Sequence, residues 1–224
     1  MTSVADAPQP FVFGVDLDGV CGDYTAAFRK VAAEELGVPE ESLPLERSWD
    51  FREWGFGPGD YERIHRIAVL ERRILRTLPI IEGAAEALWR LSDAGVWIRI
   101  ITHRLYVNWS HATAVSDTVA WLDEARIPYR DICFLGAKPE VEADAYVDDG
   151  PHNILALREL GNDVIVFDQP YNRHLEGPRA RNWLEVEEIV EELAAKKGRG
   201  LQRQLPGFDA GADRIERRRG GPIA

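Results

Sequence analysis

Only two cysteines, Cys21 and Cys133, occur in 224 residues, too few for a disulfide framework. Both fall at or inside predicted core strands, where a small buried hydrophobe is the expected role. A reduced, cytoplasmic setting is the matching expectation. Long apolar runs are also absent. No stretch reaches about 18 apolar residues, so no membrane-spanning helix is predicted. The segment Met1 to Pro8 has neither a basic region nor an apolar core, so no secretory leader is expected. Positive charge is scarce overall: the formal net charge is −11, which argues against a binder of nucleic-acid polymers. The positive surplus lies at the C-terminal end, where residues 196–224 hold eight Lys or Arg against three Asp or Glu. That Gly- and Arg-rich stretch is expected to be a disordered basic tail. No internal repeat is present.

What remains is the composition of an ordinary globular α/β protein, 45% hydrophobic and 29% charged. Strand and helix patterns alternate, which predicts a doubly wound, Rossmann-like parallel sheet covered by helices on both faces. Strands are expected at Phe11–Val15, Val96–Ile101, Ile132–Gly136, Ala145–Val147 and Asp163–Phe167. Helices are expected at Asp23–Leu36, Tyr61–Arg76, Gly83–Ala94, Val115–Ala125, Asn153–Leu160 and Glu185–Ala195. Residues 24–77 are too long for one crossover helix and read as a small helical unit inserted after the first strand. Residues 10–23 and 78–195 then form the core domain.

Four predicted strand ends carry chemistry. The first runs Phe11-Val12-Phe13-Gly14-Val15 into Asp16-Leu17-Asp18-Gly19. Two acids at the carboxyl end of a core strand are costly unless paired or bound to metal, and that end of an α/β sheet is where ligands bind. The second strand ends in Thr102. The third precedes an isolated Lys138. The fourth ends in Asp148-Asp149-Gly150. Each has an ordinary reading alone: a turn for Asp18-Gly19, a cap for Thr102, a surface charge for Lys138, a helix start for the acid pair. The ordered set of four does not.

In this order the motifs resemble those of the haloacid dehalogenase superfamily of phosphotransferases, over roughly residues 10–190. The resemblance implies Asp16 as nucleophile, forming an aspartyl-phosphate, and Asp18 as general acid and then base. It implies that Thr102 holds phosphate oxygens and that Lys138 neutralises the phosphoryl group. Carboxylates alone would repel a phosphate, so a divalent cation is required, and Mg²⁺ fits a set of carboxylates plus phosphate oxygens. Its implied protein ligands are Asp16, the backbone carbonyl of Asp18, and one of the terminal acid pair, Asp149 in preference to Asp148. The sequence does not separate those two.

In this superfamily an insertion after the first motif covers the site and selects the substrate. The inserted segment holds Trp49, Phe51, Trp54, Phe56 and Tyr61, either a satellite core for its helices or a slot that stacks a planar base. Asp16-Leu17-Asp18-Gly19-Val20-Cys21-Gly22-Asp23-Tyr24, together with Leu78-Pro79, Gly83 and Val119-Ala120-Trp121-Leu122, is similar to the 5′(3′)-deoxyribonucleotidases. That resemblance implies hydrolysis of a nucleoside monophosphate, with Tyr24 against the base; on the slot reading, Trp49 and Trp54 are further candidate substrate contacts. The chain departs from the family after Thr102, where His103-Arg104 replaces a small hydroxyl residue and proline. Both are candidate substrate contacts, Arg104 through a fork suited to phosphate or carboxylate. Asp168–Arg173, after the fifth strand, either lines the rim of the site or forms a simple turn, and the turn is the favoured reading. The alternatives are a phosphatase for another small ester, such as a sugar phosphate, and a catalytically silent binding protein. A phosphate-accepting signalling domain would place its acid pair first, not last. No membrane or nucleic-acid polymer partner is expected; a homodimer is left open.

Overall fold

Apolar, β-prone runs alternate with amphipathic helices along the chain, and in the computed structural model they assemble as that alternation requires. The structure describes residues 9–105, 110–135 and 138–201. The predicted leader-free N-terminus and most of the basic tail lie outside the described residues, as does Gly136, expected at the end of the third strand. Among the described residues six strands form one parallel sheet: β1 (Val12–Val15), β2 (Trp97–Thr102), β3 (Asp131–Phe134), β4 (Ala145–Asp148), β5 (Val164–Phe167) and β6 (Arg179–Ala180). Their order is β3-β2-β1-β4-β5-β6. Successive strands step outward from β1 on one side and then from β4 on the other, so β1 and β4 flank the topological switch point, where such sheets bind ligands.

The helices are α1 (Tyr24–Leu36), α2 (Asp60–Leu70), α3 (Ile74–Thr77), α4 (Ala84–Asp93), α5 (His111–Glu124), α6 (Pro151–Glu159) and α7 (Trp183–Lys196). Phe13, Val15, Ile98, Ile100, Val147 and Ile165 pack on α4 and α7 residues such as Leu88, Leu91, Val186 and Val190. On the other face Ile101, Tyr146 and Val166 pack on Ile154 and Leu157 of α6. Gly14 sits under that second cluster: a Cβ there would stand 2.8 Å from side-chain carbons of Ile101 and Tyr146, which would have to shift.

Residues 24–77 build a cluster of their own. Phe28, Val31, Leu43, Phe51, Trp54, Ile64, Val69 and Leu75 pack together, joined from outside the segment by Ala114 and Leu105. The Asp23 side chain caps α1 by accepting from the Ala26 N–H at 2.9 Å. One expected helix, Tyr61–Arg76, is broken in two. Arg73 adopts a left-handed conformation, φ 54°, and its guanidinium makes two bonds to the buried Asp117 of α5, both 2.5 Å. The tertiary ion pair overrides the local helical pattern.

The short strand β6 was not expected from the sequence; two residues carry too little pattern. The C-terminal boundary also differs. The basic segment expected from residue 196 begins as ordered structure: Lys196 ends α7, Lys197 pairs with Asp163 at 3.2 Å, and Arg199 pairs with Asp144 and donates to the Pro10 carbonyl.

Candidate active site

Parallel pairing brings the chemical residues together. Val15 is in register with Ile100 of β2 and Val147 of β4, so the chain leaves all three strands on the same edge. Asp16 follows β1, Thr102 ends β2, and Asp148-Asp149 end and follow β4. Lys138 arrives from the short helical turn Lys138–Glu140. Asp16, Thr102, Lys138, Asp148 and Asp149 are all buried. The Lys138 ammonium donates to Asp16 Oδ1 at 2.5 Å and to Asp148 Oδ2 at 2.6 Å.

Carboxylate oxygens of Asp16, Asp148 and Asp149 lie within 4.8 Å of one another. Three buried acids face one buried ammonium, an arrangement that is unfavourable unless further positive charge arrives. The titration behaviour follows. Burial, then repulsion from Asp148 and Asp18, lifts the Asp16 carboxyl to about 7 despite the opposing Lys138. Burial and the charges of Asp16 and Asp148 likewise push Asp149 well up. Burial would lower the Lys138 ammonium, but Asp148 and Asp16 outweigh it and raise the group. The charge balance and oxygen-only donor set suit a hard divalent cation.

The two terminal acids differ in what already holds them. Asp148 accepts from Lys138, from the Gly150 N–H at 2.8 Å and from the Asn153 side chain at 3.3 Å. Asp149 accepts from the Tyr171 hydroxyl alone among the described residues. Tyr171 lies in the segment whose two readings are a turn and the rim of the site. A turn forms at Pro170–Asn172, and Tyr171 and Asn172 are buried beside the acids. Asn172 donates to the carbonyls of Asp149 and Phe167 at 2.9 and 2.8 Å. The available signal was position: this segment leaves β5 at the ligand-binding edge of the sheet.

The turn after β1 is fixed from several sides. Gly19 has φ +87°, and a Cβ there would come within 2.1 Å of Asp149 Oδ2, so only glycine fits. The Gln169 side chain donates to the Gly19 carbonyl at 2.7 Å, and the Trp183 indole donates to the Val20 carbonyl at 2.9 Å. The Cys21 thiol donates to the Asp16 carbonyl at 3.3 Å, and burial pushes it well above the ordinary thiol range. Cys21 is therefore the inert buried group expected of it.

The expected substrate contacts divide. Tyr24 stacks on Phe28, ring centroids 5.3 Å apart, and its hydroxyl meets His65 Nδ1 at 2.7 Å. Trp49 is exposed and stands edge-on to Tyr171 at 5.3 Å and to His152 at 6.3 Å, at the junction of the inserted segment and the core. Beside it Arg47, absent from the sequence reading, lies buried with its guanidinium 3.8 Å from the Phe51 ring centre and 4.5 Å from that of Tyr171. Trp54 is placed otherwise. It is buried against Phe28, Phe51 and Phe56, and its indole donates to the Pro44 carbonyl at 2.8 Å. Of the two readings of the aromatic group, Trp54 thus follows the satellite core, because its ring faces are covered by its own segment.

His103 is half-buried and its Nε2 is buried without a hydrogen-bond partner among the described residues. Burial, then the nearby Lys138, holds its imidazole below the usual histidine range. Arg104 does not extend toward open space. Its fork closes on Asp18, Nε to Oδ2 at 2.9 Å and Nη2 to Oδ1 at 2.7 Å.

Residues 10–198 match the family model described as 5′ nucleotidase, deoxy (pyrimidine), cytosolic type C. The chain belongs to the 5′(3′)-deoxyribonucleotidase family. A protein of Chlorobaculum tepidum named "Putative 5′(3′)-deoxyribonucleotidase" is 46% identical over 180 residues, covering 80% of this chain and 89% of that one. The 5′(3′)-deoxyribonucleotidase of Bacillus subtilis is 28% identical over 121 residues, 53% of this chain and 66% of its own. Among solved structures, a haloacid dehalogenase-like hydrolase from Streptococcus pneumoniae superposes with a TM-score of 0.56 at 16% identity, over 80% of this chain and 98% of that one. A HAD family hydrolase from Deinococcus radiodurans, with bound phosphate and sodium, gives 0.55 at 17% identity, over 84% and 98%. These two establish the shared fold. As a member of the deoxyribonucleotidase family, the chain is a phosphoric monoester hydrolase, a nucleotidase-like phosphatase.

Proposed function

We propose that the protein hydrolyses deoxyribonucleoside monophosphates to nucleoside and phosphate with Mg²⁺, through a phosphorylated Asp16. The observation that carries this reading is the buried cluster of Asp16, Lys138, Asp148 and Asp149, short of positive charge by about what a divalent ion supplies. Asp16, the Asp18 backbone carbonyl and Asp149 would hold the metal; Asp148, already engaged by three donors, would orient Lys138. The ion, when bound, supplies positive charge against the phosphate oxygens and the Asp16 carboxylate.

The chain's own residues then do the following. An Asp16 carboxylate oxygen attacks phosphorus in line with the nucleoside oxygen, and the bond from phosphorus to that oxygen breaks. Asp18 gives its proton to the departing alkoxide. A water then attacks phosphorus, Asp18 takes its proton, the bond to Asp16 breaks, and phosphate leaves. Lys138 favours the ionised form of Asp16 and aligns it. Thr102 and His103 Nε2, which has no hydrogen-bond partner among the described residues, hold phosphate oxygens. Tyr24 and Trp49 lie against the base, and residues 24–77 act as a cap.

The test is phosphate release from deoxyribonucleoside monophosphates with added magnesium, in chelator, and for Asp16→Asn. Release that needs the metal and vanishes in the variant supports the reading. Full activity in chelator contradicts the metal's role, and turnover by Asp16→Asn contradicts the nucleophile.

A further inference from the structure

Arg104 stands where the family resemblance leads one to expect a proline, and its surroundings give it a task. The side chain is 2% exposed, against 29% for Asp18. Two parallel bonds from Nε and Nη2 occupy both oxygens of the Asp18 carboxyl, the bidentate geometry that fixes a carboxylate's plane as well as its position. The remaining nitrogen, Nη1, donates to Thr118 Oγ1 at 3.0 Å. That hydroxyl in turn donates to the Ala114 carbonyl at 2.7 Å, so Thr118 is held ready to accept. The guanidinium also lies 5.5 Å from the centre of the Trp121 ring, whose indole donates to the Leu78 carbonyl at 2.8 Å. Arg104 is thus anchored by two residues of α5 and presents its fork at the strand edge. Among the described residues nothing else donates to the Asp18 side chain. With every nitrogen engaged and almost no exposed surface, Arg104 has no reach to a substrate.

We infer that Arg104 is a positioning residue that sets the Asp18 carboxyl for proton transfer to the leaving oxygen. This rests on the reading of Asp18 as the general acid. When the Asp16 oxygen bonds to phosphorus and the phosphorus–oxygen bond to the alcohol breaks, the alkoxide must take a proton from Asp18; the fork occupies one lone pair on each Asp18 oxygen, and the proton is carried on a lone pair it leaves free. A nucleoside alkoxide is strongly basic and depends on that transfer; p-nitrophenolate is weakly basic and departs without it. A carboxyl released from the fork therefore costs the nucleotide reaction far more than the aryl phosphate reaction, whereas a residue that only supports the fold costs both alike.

The experiment measures kcat/KM, which reports the step that expels the alcohol, on a deoxyribonucleoside monophosphate and on p-nitrophenyl phosphate, with magnesium. The variants are Arg104→Gln, Thr118→Val and Asp18→Asn, each checked by circular dichroism. Arg104→Gln is expected to lose about 100-fold on the nucleotide and at least tenfold less on the aryl ester, within the range general acid catalysis supplies. Thr118→Val, which loosens the anchor but leaves the fork, is expected to show the same split at roughly fivefold; it carries the test if Arg104→Gln fails to fold. Equal losses on both substrates, or none, overturn the inference. A split in Asp18→Asn alone overturns it while leaving Asp18 as the acid. No split in Asp18→Asn removes the role of Asp18 itself, and the inference with it.

Discussion

At the scale of single residues, the site is built from charges that are buried and only partly balanced. Asp16→Asn removes one of three clustered carboxylates while Lys138 keeps Asp148 as a partner. The variant is expected to fold and to release no phosphate from nucleotides. The raised Asp16 carboxyl adds a pH signature in metal-free protein. Its folded value of about 7 lies above the ordinary 3.8, so between those values the unfolded chain gives up a proton that the folded one retains. Stability contributed by this group therefore falls as pH rises from about 4 to 7, by roughly 4 kcal/mol at most. Urea unfolding in chelator is expected to show Asp16→Asn gaining on the wild type across that interval. A constant difference between the two would contradict the environment described for Asp16. The aromatic residues separate in the same way. Trp54, buried among rings of its own segment, is expected to cost about 3–5 kcal/mol on replacement by Ala. Exposed Trp49 is expected to cost little stability and instead raise KM for nucleotides more than for p-nitrophenyl phosphate.

At the scale of elements, residues 24–77 are tied to α5 where the expected long helix breaks. Arg73, half-exposed, reaches the fully buried Asp117. Removing the arginine strands a buried carboxylate, which costs about 3–5 kcal/mol when both partners are buried and less here because solvent screens one of them. Arg73→Ala is expected to lower the urea midpoint measurably. Arg72→Ala, from the exposed pair with Glu34, is expected to lose under about 1 kcal/mol. Equal losses would mean that the Asp117 pair does not anchor the segment. The break also marks where sequence reading stops. Strands β1, β2 and β4 and the acids at their ends were legible because the signal is local: an apolar run that stops at a carboxylate or hydroxyl. The break at Arg73, the Asp149 contact of Tyr171 and the fork of Arg104 on Asp18 were not. Each joins residues far apart in the chain, and no local pattern distinguishes an arginine that binds substrate from one that binds an acid of its own fold. The aromatic group was ambiguous for the same reason: composition does not say which rings cover one another.

At the scale of the whole molecule, the parallel sheet collects one edge's worth of strand ends into a single anionic cluster, and the inserted segment stands beside it through Arg47 and Trp49 against Tyr171. The same edge ordering explains why a chain of net charge −11 can act on an anion: the positive charge is local, from Lys138 and the proposed metal. Among the described residues no helix is long and apolar enough to cross a membrane. The most direct test of the central claim is phosphate release across a panel of deoxyribonucleoside monophosphates, ribonucleoside monophosphates and sugar phosphates, with magnesium, for wild type and Asp16→Asn. The account predicts release from deoxyribonucleotides that exceeds release from sugar phosphates and is lost in the variant. Release from sugar phosphates alone, or undiminished release by Asp16→Asn, would contradict it.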